Sequence, residues 1–142
     1  MKAIVKQIKG CSFIGKAESN HWVAIDTPKE PCGSDAASTP MELILLALGS
    51  CSGADVVYIL DKKKVPIKGL EINIDAERSK SYPMVFKKIT MEYIFYGQKI
   101  DPKHVERAIK LSEEKYCSVS AMLKQSVSIT SSYKIINSLK DK

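Results

Sequence analysis

Apolar and polar residues alternate in short runs near the start of the chain. One such run covers residues 3–9, others lie within residues 12–26, and Gly10 and Asn20 supply turns between them. Alternation with a period of two places every second side chain on one face of a strand. We therefore expect two or three antiparallel strands here, followed by a loop over residues 27–40.

The second half of the chain predicts two longer strands and then a helix. Apolar residues alternate with polar ones over residues 70–77 and again over residues 89–95, as in strands with one buried face. Asp101 followed by Pro102 is typical of a helix start. The apolar stripe that follows predicts a helix that runs to about Lys115.

This helix is expected to be interrupted near its C-terminal end. Tyr116-Cys117-Ser118 breaks the pattern, and Cys117 or Ser118 is placed to cap a further helical segment. A last strand is expected around Val127 to Ile135. Strands, helix, strands, helix and strand in this order predict an α+β fold with an antiparallel sheet.

Residues 40–64, PMELILLALGSCSGADVVYILDKKK, predict a helix that is apolar around most of its circumference. Such a helix must be covered on all sides, and one sheet covers only one of them. The 18 residues Leu43–Leu60 just match a membrane span, but Asp55 and the small polar residues around it would make insertion costly. We therefore expect no membrane span, and we expect an obligate homodimer that covers the rest of the helix.

The start of this helix carries an N-terminal signal. Thr39 precedes the helix and Glu42 follows three positions later, which is the spacing of a capping box. On a continuous helix, Glu42 lies about half a turn out of phase with Cys51 and roughly 13 Å away along the axis. We therefore expect a capping role for Glu42 and no direct contact with Cys51.

Composition and length indicate one folded domain. The chain has 142 residues, of which 44% are hydrophobic and 27% charged, and no repeat or linker divides it. The first ten residues lack the apolar core of a secretory signal, so a cytoplasmic protein with reduced cysteines is expected. The net charge of +6 comes without a nucleic-acid-binding motif, so we expect no nucleic acid as a partner.

The four cysteines do not form a metal-binding pattern. No CxxC pair is present, and neither histidine lies at a zinc-like spacing from a cysteine. We therefore expect no metal site. Cys11 in a strand-like run and Cys32 in a loop are assigned no catalytic role.

Two cysteines occupy more specialised positions. Gly49 and Gly53 remove bulk on either side of Cys51, which lets another helix approach or leaves a pocket above the sulfur. Cys117 lies at a predicted helix start, where a thiol ionises more easily. A thiolate attacks a peroxide, and a second thiol then traps the sulfenic acid. The alternative is that Cys51 is an inert small apolar residue.

Two segments together resemble one known family. Ser38-Thr39-Pro40-Met41-Glu42-Leu43 leads to Gly49-Ser50-Cys51 and Asp55-Val56-Val57, and the second segment is Leu111-Ser112-Glu113-Glu114-Lys115-Tyr116-Cys117-Ser118-Val119. In this order they resemble the OsmC/Ohr family of osmotically inducible and organic-hydroperoxide-resistance proteins. The resemblance extends over nearly the whole chain, 1–142, as a single domain.

The resemblance implies an OsmC-like α+β fold in which antiparallel sheets wrap around two central helices of an intertwined homodimer. It also implies thiol-dependent reduction of hydroperoxides, and the apolar residues around Cys51 favour organic or fatty-acyl hydroperoxides over hydrogen peroxide. Cys51 would be the peroxidatic thiolate, Cys117 the resolving thiol, and a dithiol the reductant. No metal, flavin or haem is implied as a cofactor.

The chain departs from this family in the residues around the thiol. Organic-hydroperoxide-resistance members hold the thiolate with an arginine in an early loop, but the arginines here are Arg78 and Arg107. They also carry an acid directly after the proline, whereas Glu42 stands one place later and is at most a supporting site residue. Lys16 or His21 could replace the arginine.

The sequence leaves alternatives open for the partner of Asp55 and for the function. An unpaired Asp55 carboxylate near Cys51 would oppose formation of the thiolate, so we expect Asp55 to pair with a lysine or to cap a group across the dimer. A second function is also open, in which the chain is a non-catalytic dimeric binding protein for a small apolar ligand.

Overall fold

The computed structural model describes residues 1–137, and its fold is α+β, as the sequence predicts. Contacts within the chain divide it into two units, the first Met1–Leu46 and the second beginning at Ala47. Each unit contains one three-stranded sheet. The expectation of one domain over residues 1–142 stays a prediction.

The sheet of the first unit confirms the predicted antiparallel strands. It consists of β1 (Ala3–Lys9), β2 (Ser12–Ala17) and β3 (Val23–Ile25), with β2 in the middle. Both pairings are antiparallel. Every residue of β1 is exposed, including the apolar Val5 and Ile8, so the faces of this strand bury little within the chain.

The loop that follows β3 is organised around one buried carboxylate. Asp26 is 2% exposed, and it accepts hydrogen bonds from the N–H groups of Thr27, Ser34 and Ala36 and from the hydroxyl of Ser12. The bond from the Thr27 N–H is the main reason that the pKa of Asp26 lies below its ordinary value, and burial opposes this shift. The Asp26 carboxylate therefore accepts the hydrogen bonds of loop N–H groups that have no helix or strand partner.

Cys11 and Cys32 form a disulfide in this first unit. Their Cα atoms lie 5.3 Å apart, and the N–H of Cys11 donates to the carbonyl oxygen of Cys32 at 3.0 Å. The expectation that all the cysteines are reduced is therefore wrong for this pair. Because the two residues are 21 positions apart, only the folded loop brings them together, and no short spacing in the sequence indicates it.

Helix α1 spans Pro40–Lys62, and its capping box is confirmed. The Thr39 N–H donates to Glu42 Oε2 at 2.7 Å, and the Glu42 N–H donates to Thr39 Oγ1 at 3.3 Å. The first of these bonds is the main reason that the pKa of Glu42 lies below its ordinary value. Length and a mean hydropathy of 2.0 would let α1 cross a membrane, but a buried core helix meets the same criterion.

The sheet of the second unit differs from the prediction in one strand direction. It contains β4 (Ile67–Arg78), β5 (Phe86–Gly97) and β6 (Ser128–Ile136), in the order β4-β5-β6. The pairing of β4 with β5 is antiparallel, but β6 runs parallel to β5. The all-antiparallel expectation is therefore wrong for β6, because the helical crossover between β5 and β6 returns the chain to the same end of the sheet.

Two glycines let the second part of α1 approach β4. A Cβ added at Gly49 would lie 2.7 Å from Ile74 Cδ1, and one added at Gly53 would lie 3.0 Å from Ile72 Cδ1. The sequence suggested an approaching helix or a pocket as the reason for these glycines. The close neighbour is instead a strand, and the missing side chains allow tight packing of the helix on the sheet.

The helical crossover is built from three consecutive pieces. Helix α2 (Pro102–Leu111) begins with the predicted cap at Asp101, whose side chain accepts from the Lys103 N–H at 2.9 Å. A π-helical turn (Ser112–Tyr116) follows, and α3 (Ser118–Leu123) completes the crossover. Fully buried side chains from α1, β5 and α2 form the core between them: Leu48, Val56, Leu60, Ile89, Met91, Tyr93, Phe95, Val105 and Ala108.

Candidate active site

The two cysteines outside the disulfide meet in the second unit. Cys51 lies in the middle of α1 and is partly buried, whereas Cys117 begins α3 and is 2% exposed. The two Sγ atoms and a carboxylate oxygen of Asp55 all lie within 4.8 Å of one another. The structure thus brings together the two thiols that the sequence analysis paired, and their catalytic roles stay a prediction.

Cys117 is held by the backbone at the break between the helical pieces. Its N–H donates to the carbonyl oxygen of Ser112 at 2.9 Å, and its Sγ accepts from the N–H of Ser120 at 3.4 Å. The predicted capping position is therefore confirmed for Cys117. The preceding π-helical turn aims this residue back toward α1, and such turns occur frequently at functional sites.

The surroundings of Cys117 favour its protonated form. Burial is the largest cause that raises the pKa of the Cys117 thiol to about 11, and the hydrogen bond to Cys51 and the negative charges of Cys51 and Asp55 raise it further. The hydrogen bond from the Ser120 N–H opposes this shift. At neutral pH, Cys117 is therefore a neutral thiol that lies beside Cys51.

A chain of buried hydroxyl groups lies beside the sulfurs. Tyr93 Oη is 2.6 Å from Ser52 Oγ, Ser52 Oγ is 2.9 Å from Ser112 Oγ, and Ser112 Oγ donates to Asp55 Oδ2 at 3.1 Å. Tyr93, Ser52 and Ser112 are at most 1% exposed. These bonds tie α1 to β5 and to the π-helical turn, which fixes Cys117 relative to Cys51.

The direction of this chain follows from the acceptor at its end. An ionised carboxylate only accepts, so the one hydroxyl proton of Ser112 points to Asp55. Ser52 must then donate to Ser112, and Tyr93 must donate to Ser52. Burial raises the pKa of Tyr93 to about 12, which keeps the phenol protonated as this direction requires.

Asp55 does not have the partner that the sequence suggested. The ion pairs among the described residues involve Glu18, Glu77, Glu92 and Glu114 as acids, and none involves Asp55. Ser112 is the partner instead. Within the described residues of one chain, Asp55 pairs with no lysine, and the alternative of a cap across the dimer stays a prediction. A carboxylate thus stands next to the two thiols.

A groove of about 500 Å³ opens beside this cluster. It is lined by Asp55, Tyr58, Ile59, Lys62, Lys63, Leu111 and Tyr116. Lys62 Nζ lies 4.8 Å from the centre of the Tyr58 ring, where the cation is attracted to the aromatic face. The groove therefore combines apolar walls with positive charge and reaches the carboxylate one helical turn from Cys51.

The residues considered as substitutes for the missing arginine have other surroundings. Lys16 donates to Asn20 Oδ1 and lies 5.0 Å from the centre of the Trp22 ring, all within the first unit. His21 is exposed in the same region. The Nε of Arg78 donates to the carbonyl oxygen of Met84 at 2.8 Å. Glu42 acts as a helix cap, and its further role as a supporting site residue stays a prediction.

Sequence reasoning missed the hydroxyl residues of this site. The sequence pattern indicates only that Ser52 is a small residue next to Cys51 and that Tyr93 is one buried position in a strand. It predicts no role for Ser112. A signal for Ser112 was present, because it stands five residues before Cys117, the spacing that a π-helical turn bridges.

Comparisons with known proteins agree with this fold and these motifs. A family model described as OsmC-like protein matches residues 33–132. Protein YhfA of Escherichia coli K12 is 38% identical over 136 residues, which cover 96% of this chain and 98% of YhfA. A hypothetical protein from Aquifex aeolicus has a similar structure, with a TM-score of 0.80, 33% identity, and coverage of 96% of this chain and 97% of the other.

A more distant structure shares the fold alone. The organic hydroperoxide resistance protein OsmC from Legionella pneumophila superposes with a TM-score of 0.70 and 14% identity, covering 94% of this chain and 97% of that protein. The fold defines an α+β protein of the OsmC-like class, and two free thiols meet within it. The chain belongs to the OsmC-like protein family.

Proposed function

We propose that this protein is a thiol-dependent peroxidase that reduces organic hydroperoxides in the cytoplasm as a defence against oxidative stress. Cys51 is the peroxidatic residue, Cys117 is the resolving residue, and a dithiol is the reductant. The observation that carries the proposal is the meeting of two unbonded thiols, one partly buried and one fully buried, within 4.8 Å. Membership of the OsmC-like family and the fold shared with a hydroperoxide resistance protein support it.

The proposed reaction has three balanced steps. The Cys51 thiolate attacks the O–O bond of the hydroperoxide, which gives Cys51 sulfenic acid and, after the leaving alkoxide takes up a proton, an alcohol. The Cys117 sulfur then displaces water from the sulfenic acid and forms a disulfide with Cys51. A dithiol reduces this disulfide by thiol–disulfide exchange and is itself oxidised to a disulfide.

The protonated state of Cys117 suits this assignment. A neutral Cys117 thiol lies close enough to donate a hydrogen bond to the thiolate that forms at Cys51 during the reaction, which is the help that family relatives are expected to obtain from an arginine. Asp55 limits this effect because its own negative charge lies within 4.8 Å of both sulfurs. We therefore expect slower attack on peroxides than in relatives that carry the arginine.

The groove beside Asp55 supports an organic substrate. Its walls include Tyr58, Ile59 and Leu111, and Lys62 and Lys63 lie at the same groove. Burial of an apolar chain in this groove lowers the free energy of binding, whereas hydrogen peroxide has no apolar chain to bury. Fatty-acyl hydroperoxides with a carboxylate at one end fit both the apolar walls and the lysines.

The homodimer belongs to the same proposal. Leu46, Val57 and Tyr58 on α1 are 58%, 41% and 60% exposed, and Val5 and Ile8 on β1 are 60% and 63% exposed. Large apolar side chains exposed on several elements are typical of a surface that another chain covers. We propose that a second copy of this chain covers this surface, because the apolar side of α1 can pack against the same side of α1 in the other copy.

Stopped-flow oxidation of the reduced protein tests the peroxidase proposal. Cumene hydroperoxide and a fatty-acid hydroperoxide should form a Cys51–Cys117 disulfide faster than hydrogen peroxide does, and all should react faster with the protein than with free cysteine. A rate no higher than that of free cysteine for every peroxide would refute the proposal. The Cys11→Ser/Cys32→Ser variant is the background, because it leaves only the two proposed active thiols.

The groove also supports a second candidate function, that of a non-catalytic dimeric binding protein for a small apolar ligand. In this case the thiols would be spectators in the wall of a binding site. Native mass spectrometry of freshly purified protein distinguishes the two functions. A co-purified apolar ligand together with thiols that do not react with hydroperoxides would favour binding, and a ligand-free protein with reactive thiols would favour the peroxidase.

A further inference from the structure

Three groups that bind metal ions meet at the centre of the second unit. They are Cys51 Sγ, Cys117 Sγ and a carboxylate oxygen of Asp55, all within 4.8 Å of one another. Cys51 and Asp55 stand four residues apart on α1, so they share one face of the helix. This is also the spacing of two zinc-binding histidines on one helix. Cys117 completes the group from a distant part of the chain.

The distances suit a small tetrahedral ion. Zinc binds sulfur at about 2.3 Å and carboxylate oxygen at about 2.1 Å, so its ligand atoms lie roughly 3.5 to 3.8 Å apart. The ligand atoms here, which lie within 4.8 Å of one another, need to approach by at most about 1.3 Å to reach these separations. Rotation of the Cys51 and Asp55 side chains, which are not fully buried, can supply such a movement.

The charges at this position also favour a cation. Two thiolates and one carboxylate would carry three negative charges, and the ion pairs within the described residues leave all three groups without a basic partner. A divalent cation offsets most of this charge. Two sulfur ligands select zinc and cadmium over magnesium and calcium, which prefer sites made of oxygen.

Hydrogen bonds already hold two of these three groups in place. Ser112 Oγ donates to Asp55 Oδ2 at 3.1 Å, and the Ser120 N–H donates to Cys117 Sγ at 3.4 Å. Such outer contacts orient metal ligands in known sites. The Ser120 hydroxyl is buried and has no hydrogen-bond partner among the residues that the structure describes, so this turn also contains an uncommitted oxygen.

We propose that the reduced protein binds one thiophilic divalent cation of the zinc class through Cys51, Cys117 and Asp55. The fourth position of the tetrahedron remains for water or for another ligand. The sequence led us to expect no metal site, because the cysteines form no CxxC pair and no histidine lies at a zinc-like spacing from them, whereas these ligands come from two distant segments and include an aspartate. It does not depend on peroxidase activity, since it needs reduced thiols and no turnover. Oxidation to a Cys51–Cys117 disulfide removes two ligands and releases the cation.

A titration with cadmium tests this site directly. The Cys11→Ser/Cys32→Ser variant is first reduced and freed of reductant, so that Cys51 and Cys117 are its only thiols. Cadmium should produce the ultraviolet charge-transfer band of thiolate ligation, saturating at one ion per chain, and zinc should displace it. Absence of the band, or its persistence in a variant that also carries Cys51→Ser and Cys117→Ser, would overturn the proposal.

The Asp55→Asn variant tests whether the carboxylate is a metal ligand or whether the two thiols bind the metal alone. This variant keeps the shape of the side chain and should weaken cadmium and zinc binding by about tenfold or more. Asp75→Asn, at an exposed position of β4, is the matched control and should leave the affinity unchanged. Equal affinity in both variants would remove Asp55 from the site and contradict the proposal.

Cobalt gives a second readout that needs no variant at Asp55. Tetrahedral cobalt with sulfur ligands has intense visible bands, whereas octahedral cobalt in a loose oxygen site has weak ones. The reduced Cys11→Ser/Cys32→Ser protein should show the intense bands. Weak bands alone would overturn the proposal even if Asp55→Asn fails to fold by circular dichroism. Failure of peroxidase turnover would not affect either metal measurement.

Discussion

The protein contains two pairs of cysteines in different surroundings. Cys11 and Cys32 are joined in a disulfide within the first unit, and Cys32 is exposed. Cys51 and Cys117 are free thiols in the second unit, where Cys117 is 2% exposed and the two sulfurs lie within 4.8 Å of each other. The first pair constrains a loop, whereas the second pair stays unbonded beside a carboxylate.

This difference shows that closeness of two sulfurs does not define a redox site. The charge and the burial around each sulfur decide how readily it forms a thiolate. Around Cys117 and Cys51 these include the Asp55 carboxylate and a chain of buried hydroxyl groups. We propose peroxide chemistry for the second pair and a structural role for the first.

The largest expected effect is on turnover when Cys51 is replaced. Cys51→Ser should reduce hydroperoxide consumption to the rate measured without protein, because the attacking sulfur is gone. The matched control is Cys11→Ser/Cys32→Ser, which should keep the activity of the unaltered chain. Both are measured by the loss of cumene hydroperoxide in the presence of a dithiol. Equal rates of hydroperoxide consumption in the two variants would contradict the assignment of activity to Cys51.

Replacement of Cys117 should separate attack from resolution. In Cys117→Ser, Cys51 should still be oxidised, but the sulfenic acid should proceed to sulfinic acid because no second thiol traps it. Mass spectrometry should then find two added oxygen atoms on Cys51 and no disulfide to it. A disulfide between Cys51 and Cys11 or Cys32 in this variant would show instead that the two pairs communicate.

The first pair should matter for stability more than for activity. Cys11→Ser/Cys32→Ser removes a cross-link between residues 21 positions apart, and loss of such a cross-link costs about 2 to 4 kcal/mol in the free energy of unfolding. Urea denaturation followed by circular dichroism measures this cost. Addition of reductant to the unaltered chain should lower its stability similarly, and should leave that of the variant unchanged.

Acid should loosen the first unit through Asp26. Its folded pKa lies below the ordinary value of 3.8 because of hydrogen bonds from Thr27 and its neighbours, so the unfolded chain binds the proton more readily. The stabilisation is therefore complete above about pH 4 and is lost as the pH falls through the lower, folded pKa. Asp26→Asn should lower the thermal midpoint at neutral pH and reduce its dependence on acid. An unchanged acid transition in this variant would exclude Asp26 as the cause.

The smallest predicted effect concerns the hydroxyl chain of the second unit. Tyr93→Phe removes the donor to Ser52 and should cost about 1 kcal/mol in the free energy of unfolding. Tyr82→Phe is the control, because Tyr82 is 89% exposed and its change should have no measurable effect. Urea denaturation of the two variants makes the comparison. Equal stabilities would mean that the Tyr93 hydroxyl contributes nothing to this unit.

Features that depend on neighbouring residues were predictable from the sequence. The capping box of Thr39 and Glu42, the alternating strands β4 and β5, and the cap at Cys117 are each encoded within a few positions. The pairing of Cys51 with Cys117 was suggested by the helical position of each residue and by a family resemblance, because nothing local joins these distant residues.

Features that depend on the folded path were missed. The parallel direction of β6, the disulfide of Cys11 with Cys32, and the role of Ser112 each need contacts between distant segments. Gly49 illustrates the same limit, since the sequence shows that bulk is absent but not that β4 fills the space. That Asp55 lies close to both Cys51 and Cys117 became visible only in the folded chain, because Cys117 comes from a distant segment.

Peptide mapping after exposure to one equivalent of an organic hydroperoxide tests the central claim most directly. Free thiols are alkylated at once, and the disulfide-linked peptides are identified by mass spectrometry. We expect a new Cys51–Cys117 disulfide, with the Cys11–Cys32 disulfide unchanged. Alkylated Cys51 and Cys117 after the peroxide has been consumed, or oxidation confined to Cys11 and Cys32, would contradict the account.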